Sequence, residues 1–135
     1  MGTRKNKQVV LRFLQNFSAG NFESAMELVA DDVDWWVAGE WSGAGRLSKS
    51  EIQRNIAAAQ ANLQGTLALR VNYLTAEEDR VAADISSAGI LLGGECYENV
   101  YHNLYFVKLS KIYKVREHLD TDYVIRRLFS REHFE

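Results

Sequence analysis

A chain of 135 residues can bury one sizeable core and is too short for two ordinary domains. Hydrophobic residues make up 47% and charged residues 25%, a globular composition, and the net charge of −2 is scattered without a basic stripe, which argues against a nucleic-acid partner. A single cysteine, Cys96, rules out an internal disulfide and a cysteine-based metal site, and the neighbouring Glu95 carboxylate would not favour the thiolate that a nucleophilic role needs.

Residues 5–19 carry Val9, Val10, Phe13, Leu14 and Phe17 at helical spacing, with Lys, Arg and Gln opposite. Gly20 marks the stop. A second helix is expected over 22–30, broken by Asp31-Asp32, and a strand over 33–37. Residues 38–47 form a loop with three glycines and Trp41. Ser48, with Glu51 three residues on, is a capping box opening a third helix whose buried stripe is Ile52, Ile56, Ala59 and Leu63. After Gly65 the period changes to alternation: Leu67, Leu69, Val71 and Tyr73, then strands over 81–92, 98–108 and 111–120. A short helix over 121–129 closes the chain, with Asp120 or Thr121 as its N-cap. Helices segregated from a four-strand meander define an α+β domain spanning residues 1–135. Such a sheet curls into a cone around its helices, with a pocket at the open end. No apolar signal region or membrane-length run appears, so the expected location is cytoplasmic, with no membrane contact. Three histidines without paired ligand spacing make no metal site, and no dinucleotide or phosphate-loop fingerprint implies a cofactor.

Residues 97–122 hold most of the candidate chemistry. With Leu109-Ser110 as a two-residue turn, Tyr105 opposes Lys114, Asn103 opposes Arg116, Tyr101 opposes His118 and Asn99 opposes Asp120. These share one face, while Val100, Leu104, Phe106, Val115 and Leu119, with His102 and Glu117, share the other. A one-residue slip would mix the two sets. The polar face either lines the pocket or meets solvent. Trp35 and Trp36 point opposite ways on their strand, so one of them, together with Trp41, suits a flat hydrophobic ligand, or else fills core.

Three phrases, LVADDVDWWVAG (28–39), SKSEIQRNI (48–56) and YHNLYFVKLSKIYKVREHLDT (101–121), resemble the nuclear transport factor 2-like superfamily, which includes SnoaL-like polyketide cyclases, ketosteroid isomerases and limonene epoxide hydrolases. The last phrase is similar to the family's hairpin, with His118 in place of the common aromatic. The resemblance implies a cone-shaped homodimer that needs no cofactor or metal and does general acid–base chemistry, as a cyclase, isomerase or dehydratase, on a hydrophobic oxygenated molecule such as a polyketide or terpenoid. It places Asp120 as the proton carrier, assisted by His118, with Tyr101 and Asn103 on a developing enolate oxygen and Trp36, Trp41, Tyr105 and Arg116 against the substrate. The apolar hairpin face becomes the dimer surface. The steroid isomerase machinery, an Asp base with a Tyr and a protonated Asp, is not intact: Val37 occupies the base position, and Phe13 and Phe17 stand where its first-helix Tyr belongs. Epoxide hydrolysis would need a second carboxylate from Asp84, Glu98 or Glu117 beside Arg116 and Asp120. A non-catalytic ligand-binding or dimerisation module is the other alternative.

Overall fold

The computed structural model, which describes residues 2–129, opens with helix α1 (Gly2–Ser18). Its buried face is Val9, Val10, Phe13 and Leu14, four of the five residues of the expected stripe, with Phe17 partly buried against the core. Helix α2 (Phe22–Glu27) stops three residues short of the expected 30. The chain turns extended at once into β1 (Val29–Val37), because Val29 is buried and Leu28 accepts a backbone bond from Ile112 N at 2.8 Å. Within the glycine loop a three-residue strand, β2 (Gly45–Leu47), pairs antiparallel with β1. Helix α3 (Lys49–Gln60) begins at the capping box: Ser48 Oγ accepts from Glu51 N at 3.2 Å, and Glu51 accepts from Ser48 N at 2.9 Å. The bond from Ser48 N, with the Ser48 hydroxyl adding to it, holds the Glu51 carboxyl below its ordinary pKa.

Strands β3 (Leu63–Glu77), β4 (Arg80–Leu91), β5 (Cys96–Lys108) and β6 (Lys111–Leu119) form the meander. The six strands lie in the order β2-β1-β6-β5-β4-β3, with β1 and β6 parallel and all other neighbours antiparallel. Irregular register between Gln64 and Ala68, and again between Val71 and Tyr73, bends β3. The result is a curved, open α+β sheet with the N-terminal helices against it. Phe13 fixes helix to sheet: its ring lies 6.1 Å from Trp35 on β1 and 6.0 Å from Tyr105 on β5. Full burial of a side chain of this kind stabilises by about 1.5–3 kcal/mol. Among the described residues no helix is long and apolar enough to cross a membrane.

The β5–β6 hairpin departs from the expected register. The turn is Leu109-Ser110, both with positive φ (53° and 61°), and Lys108 faces Lys111. Two residues later the ladder jumps: Val107 pairs with Ile112, but Phe106 pairs with Lys114. Tyr113 is the extra residue of a β-bulge, held by its hydroxyl on Asp79 at 2.5 Å. Beyond it Tyr105 faces Val115, Asn103 faces Glu117 and Tyr101 faces Leu119. The two expected faces are therefore recombined. Val115, Glu117 and Leu119 join Tyr101, Asn103 and Tyr105 inside, while Lys114, Arg116 and His118 join Val100, His102, Leu104 and Phe106 outside. After β6, helix α4 (Thr121–Val124) runs into a π-helical turn, Ile125–Phe129.

Candidate active site

A cavity of about 170 Å³ lies between the helices and the inner face of the sheet. Its wall is mostly apolar: Phe13 and Phe17 from α1, Ile52 and Ile56 from α3, Trp35 and Val37 from β1. Trp41, Val124, Leu128 and Phe129 also line it, with the Trp41 and Phe129 rings 5.3 Å apart. Trp41 is set by a bond from its indole N–H to Ala38 O at 3.0 Å and by Gly43, where an added Cβ would lie 2.3 Å from the indole ring.

Among the described residues lining this cavity, Glu117 alone carries a charge. Its one hydrogen bond among them comes from Trp35 Nε1, at 3.0 Å to Oε1. Loss of water around the carboxylate raises its pKa, and the Trp35 bond offsets part of that rise. Among the described residues no cation contributes.

The adjacent polar wall comes from the inward face of β5, which reads Tyr97, Asn99, Tyr101, Asn103, Tyr105. Asn99 Nδ2 donates to the Tyr97 hydroxyl and Asn103 Nδ2 to the Tyr105 hydroxyl, each at 3.0 Å. Tyr101 bonds to Ser87 Oγ at 3.2 Å and to Tyr97. Burial pushes the hydroxyls of Tyr97, Tyr101 and Tyr105 above their ordinary pKa, so all three are protonated donors at neutral pH.

Of the residues singled out in the sequence, Tyr101, Asn103, Tyr105 and Trp41 line the cavity. Trp35 lines it, and Trp36, its neighbour on β1, points outward. Arg116 stacks over Trp36 at 4.2 Å and His118 meets the same ring edge-on at 5.3 Å. Both lie outside the cavity because the Tyr113 bulge reverses their parity. The Asp120 side chain is exposed and caps α4, accepting from Tyr123 N at 3.1 Å. The carboxylate brought to the cavity is Glu117, which a regular hairpin would have turned outward. One signal of the true parity is present in β6: Ile112 and then Val115 and Leu119 cannot all lie on one side of a regular strand.

A curved, helix-lined sheet of this topology enclosing a pocket defines a nuclear transport factor 2-like protein. Residues 10–115 match the model of the SnoaL-like domain, and the chain belongs to that family. Among solved structures, AclR, a candidate hydroxylase from Streptomyces galilaeus, is 15% identical with a TM-score of 0.80, covering 95% of this chain and 98% of that one. A nuclear transport factor 2-like protein from Burkholderia xenovorans LB400 is 21% identical with a TM-score of 0.71, covering 93% and 97%. IdmH, a candidate polyketide cyclase from Streptomyces antibioticus, is 17% identical with a TM-score of 0.77, covering 91% and 97%. At such identities the likeness is one of fold. No curated protein matches the sequence.

Proposed function

We propose that this protein is a small-molecule enzyme in which Glu117 moves a proton on a hydrophobic, oxygenated substrate, in a cyclisation, isomerisation or dehydration. The observation that carries the reading is a carboxylate that is alone in an apolar cavity among the described residues, with its pKa raised by desolvation and one neutral hydrogen-bond donor among them. A base is most effective when its pKa lies close to working pH, and burial moves a carboxyl in that direction. The work expected of Asp120 and His118 passes to Glu117 because those two side chains lie outside the cavity. The aromatic lining suits a flat body such as a polyketide or terpenoid ring, and the similarity to a candidate polyketide cyclase points the same way. Epoxide hydrolysis is disfavoured, since Arg116 is outside and no second carboxylate lines the cavity among the described residues.

The test is hydrogen–deuterium exchange at the α-carbons of 2-tetralone, followed by NMR in deuterated buffer. The protein is expected to accelerate exchange, and Glu117→Gln to lose about 10²–10⁴-fold of that acceleration while still binding the ketone. Equal exchange by parent and variant would instead support a non-catalytic binding module. The proposal extends to a homodimer through the outer sheet face, which presents Trp36, Leu104, Phe106 and a 62% exposed Val100. Sedimentation equilibrium of parent and Val100→Glu tests that extension, with the dimer expected to weaken in the variant.

A further inference from the structure

Two hydrogen bonds set the orientation of the Asn103 amide. Its Oδ1 accepts from His118 N at 3.2 Å, which fixes the amide orientation, so Nδ2 must be the atom that donates to the Tyr105 hydroxyl at 3.0 Å. An amide nitrogen cannot accept. The Tyr105 oxygen is therefore an acceptor toward Asn103, and its own O–H is left to donate elsewhere. Among the described residues that O–H has no acceptor, although Tyr105 is 1% exposed and lines the cavity. Tyr101 differs: its hydroxyl is engaged with Ser87 and Tyr97. The position of the free donor is also set. Asn103 directly faces Glu117 across the ladder and donates to the Tyr105 hydroxyl, both Tyr105 and Glu117 line the cavity, and the Glu117 charge acts on that hydroxyl without a bond between them. Phe13 packs on Tyr105 and on Trp35, the donor to Glu117, and so holds both sides of this space.

We propose that the Tyr105 hydroxyl is the donor that holds a carbonyl oxygen of the ligand beside Glu117, which makes the ligand class an enolisable ketone on a flat apolar body. This rests on Glu117 as the proton carrier and adds the group that receives the charge. Glu117 takes a proton from the carbon next to the carbonyl. The C–H electron pair becomes the C=C bond of the enolate, and the C=O pair moves onto oxygen under the Tyr105 hydrogen bond. Return of the proton from Glu117 to the same or another carbon of that enolate closes the step. Asn103 is a positioning residue, which acts by keeping Tyr105 a donor.

The experiment is infrared difference spectroscopy of carbonyl-labelled 2-tetralone bound to the whole protein, with affinities for 2-tetralone and its oxygen-free isostere tetralin. The carbonyl band is expected to lie lower in the parent complex than in Tyr105→Phe, and to be unmoved by Tyr101→Phe. The preference for ketone over hydrocarbon is expected to fall about fivefold in Tyr105→Phe, the size of one neutral hydrogen bond. Because Tyr105→Phe strands one Asn103 N–H, Tyr105→Phe with Asn103→Leu is measured alongside; the double variant exchanges that orphan for the His118 N–H that Asn103 Oδ1 had accepted, so a band shift shared by both variants belongs to the lost hydroxyl and to neither orphan. An unmoved band in both variants, a band that follows Tyr101 instead, or failure of 2-tetralone to bind the parent overturns the proposal. A Tyr105-dependent band with no exchange in the parent, or with unchanged exchange in Glu117→Gln, leaves this assignment standing and removes the catalytic reading.

Discussion

Asn103 and Glu117 face each other directly across the β5–β6 ladder, and each is held by a different neighbour. Asn103 is locked between His118 N and the Tyr105 hydroxyl, whereas among the described residues the Glu117 carboxylate accepts only from the Trp35 indole. The Asn103 amide is thus oriented by two partners, and the Glu117 carboxylate keeps acceptor capacity for a ligand.

That asymmetry predicts a pH-dependent stability. Desolvation raises the Glu117 pKa in the folded state above the ordinary 4.5, so the folded chain binds this proton more tightly than the unfolded one. The group's contribution is complete below the unfolded value and is lost as pH rises through the raised folded value. Glu117→Gln has no proton to lose. Urea denaturation of the variant is expected to diverge from the parent as pH rises from about 4 toward 8, with the variant becoming relatively more stable. A parent that gained stability over the variant with rising pH would contradict a raised Glu117 pKa.

Trp35→Phe removes the one bond among the described residues that favours the charged carboxylate. The Glu117 pKa should rise further, and the limb of the pH–rate profile for 2-tetralone exchange should move to higher pH. A general loss of packing would lower the rate without moving the limb.

Asp120→Ala should behave as the loss of a helix cap. A cost of about 0.5–2 kcal/mol is expected in chemical denaturation, with exchange activity retained per folded molecule. His118→Ala should also retain activity, since its ring lies against Trp36 on the outer face. Loss of exchange in either folded variant would return the proton chemistry to the end of the hairpin.

Gly43→Ala places a Cβ 2.3 Å from the Trp41 ring, so the indole must move from its bond to Ala38 O. Overpacking of this kind costs about 1–3 kcal/mol. Trp41 also lines the cavity, so the affinities for both tetralin and 2-tetralone should change, together with the intrinsic tryptophan fluorescence. Parent-like affinities and spectrum would show that the ring is not confined there.

Much of the fold can be read locally. The α1 stripe, the Ser48–Glu51 capping box and the Leu109-Ser110 turn each depend on neighbours close in the chain, and each is found where its residues predict. The three residues of β2 are too few to show alternation, and their pairing with β1 is a tertiary event. The pairing of β1 with β6 joins strands far apart in sequence, a placement that local periodicity does not encode. The cavity was legible as far as β5, whose Tyr–Asn alternation is regular, and failed on β6. There the expected faces followed residue count from the turn, and Tyr113 shifts that count by one. Asp120 as a helix cap was also visible in the sequence, and the structure places its side chain in that role.

The bulge has a consequence for engineering. Deleting Tyr113 would leave Val107 with Ile112 and Phe106 with Lys114, now as consecutive pairs, so the ladder could become regular with every inward residue still inward. Substituting Tyr113 removes its bond to Asp79 but leaves the extra residue in the chain. Such a variant could absorb the surplus as before, or slide into the regular register that turns Arg116 inward and Glu117 outward. The acidity of this cavity is thus governed by chain length as well as by side-chain identity. A library varying both at position 113 would sample an acidic and a basic interior from otherwise unchanged strands.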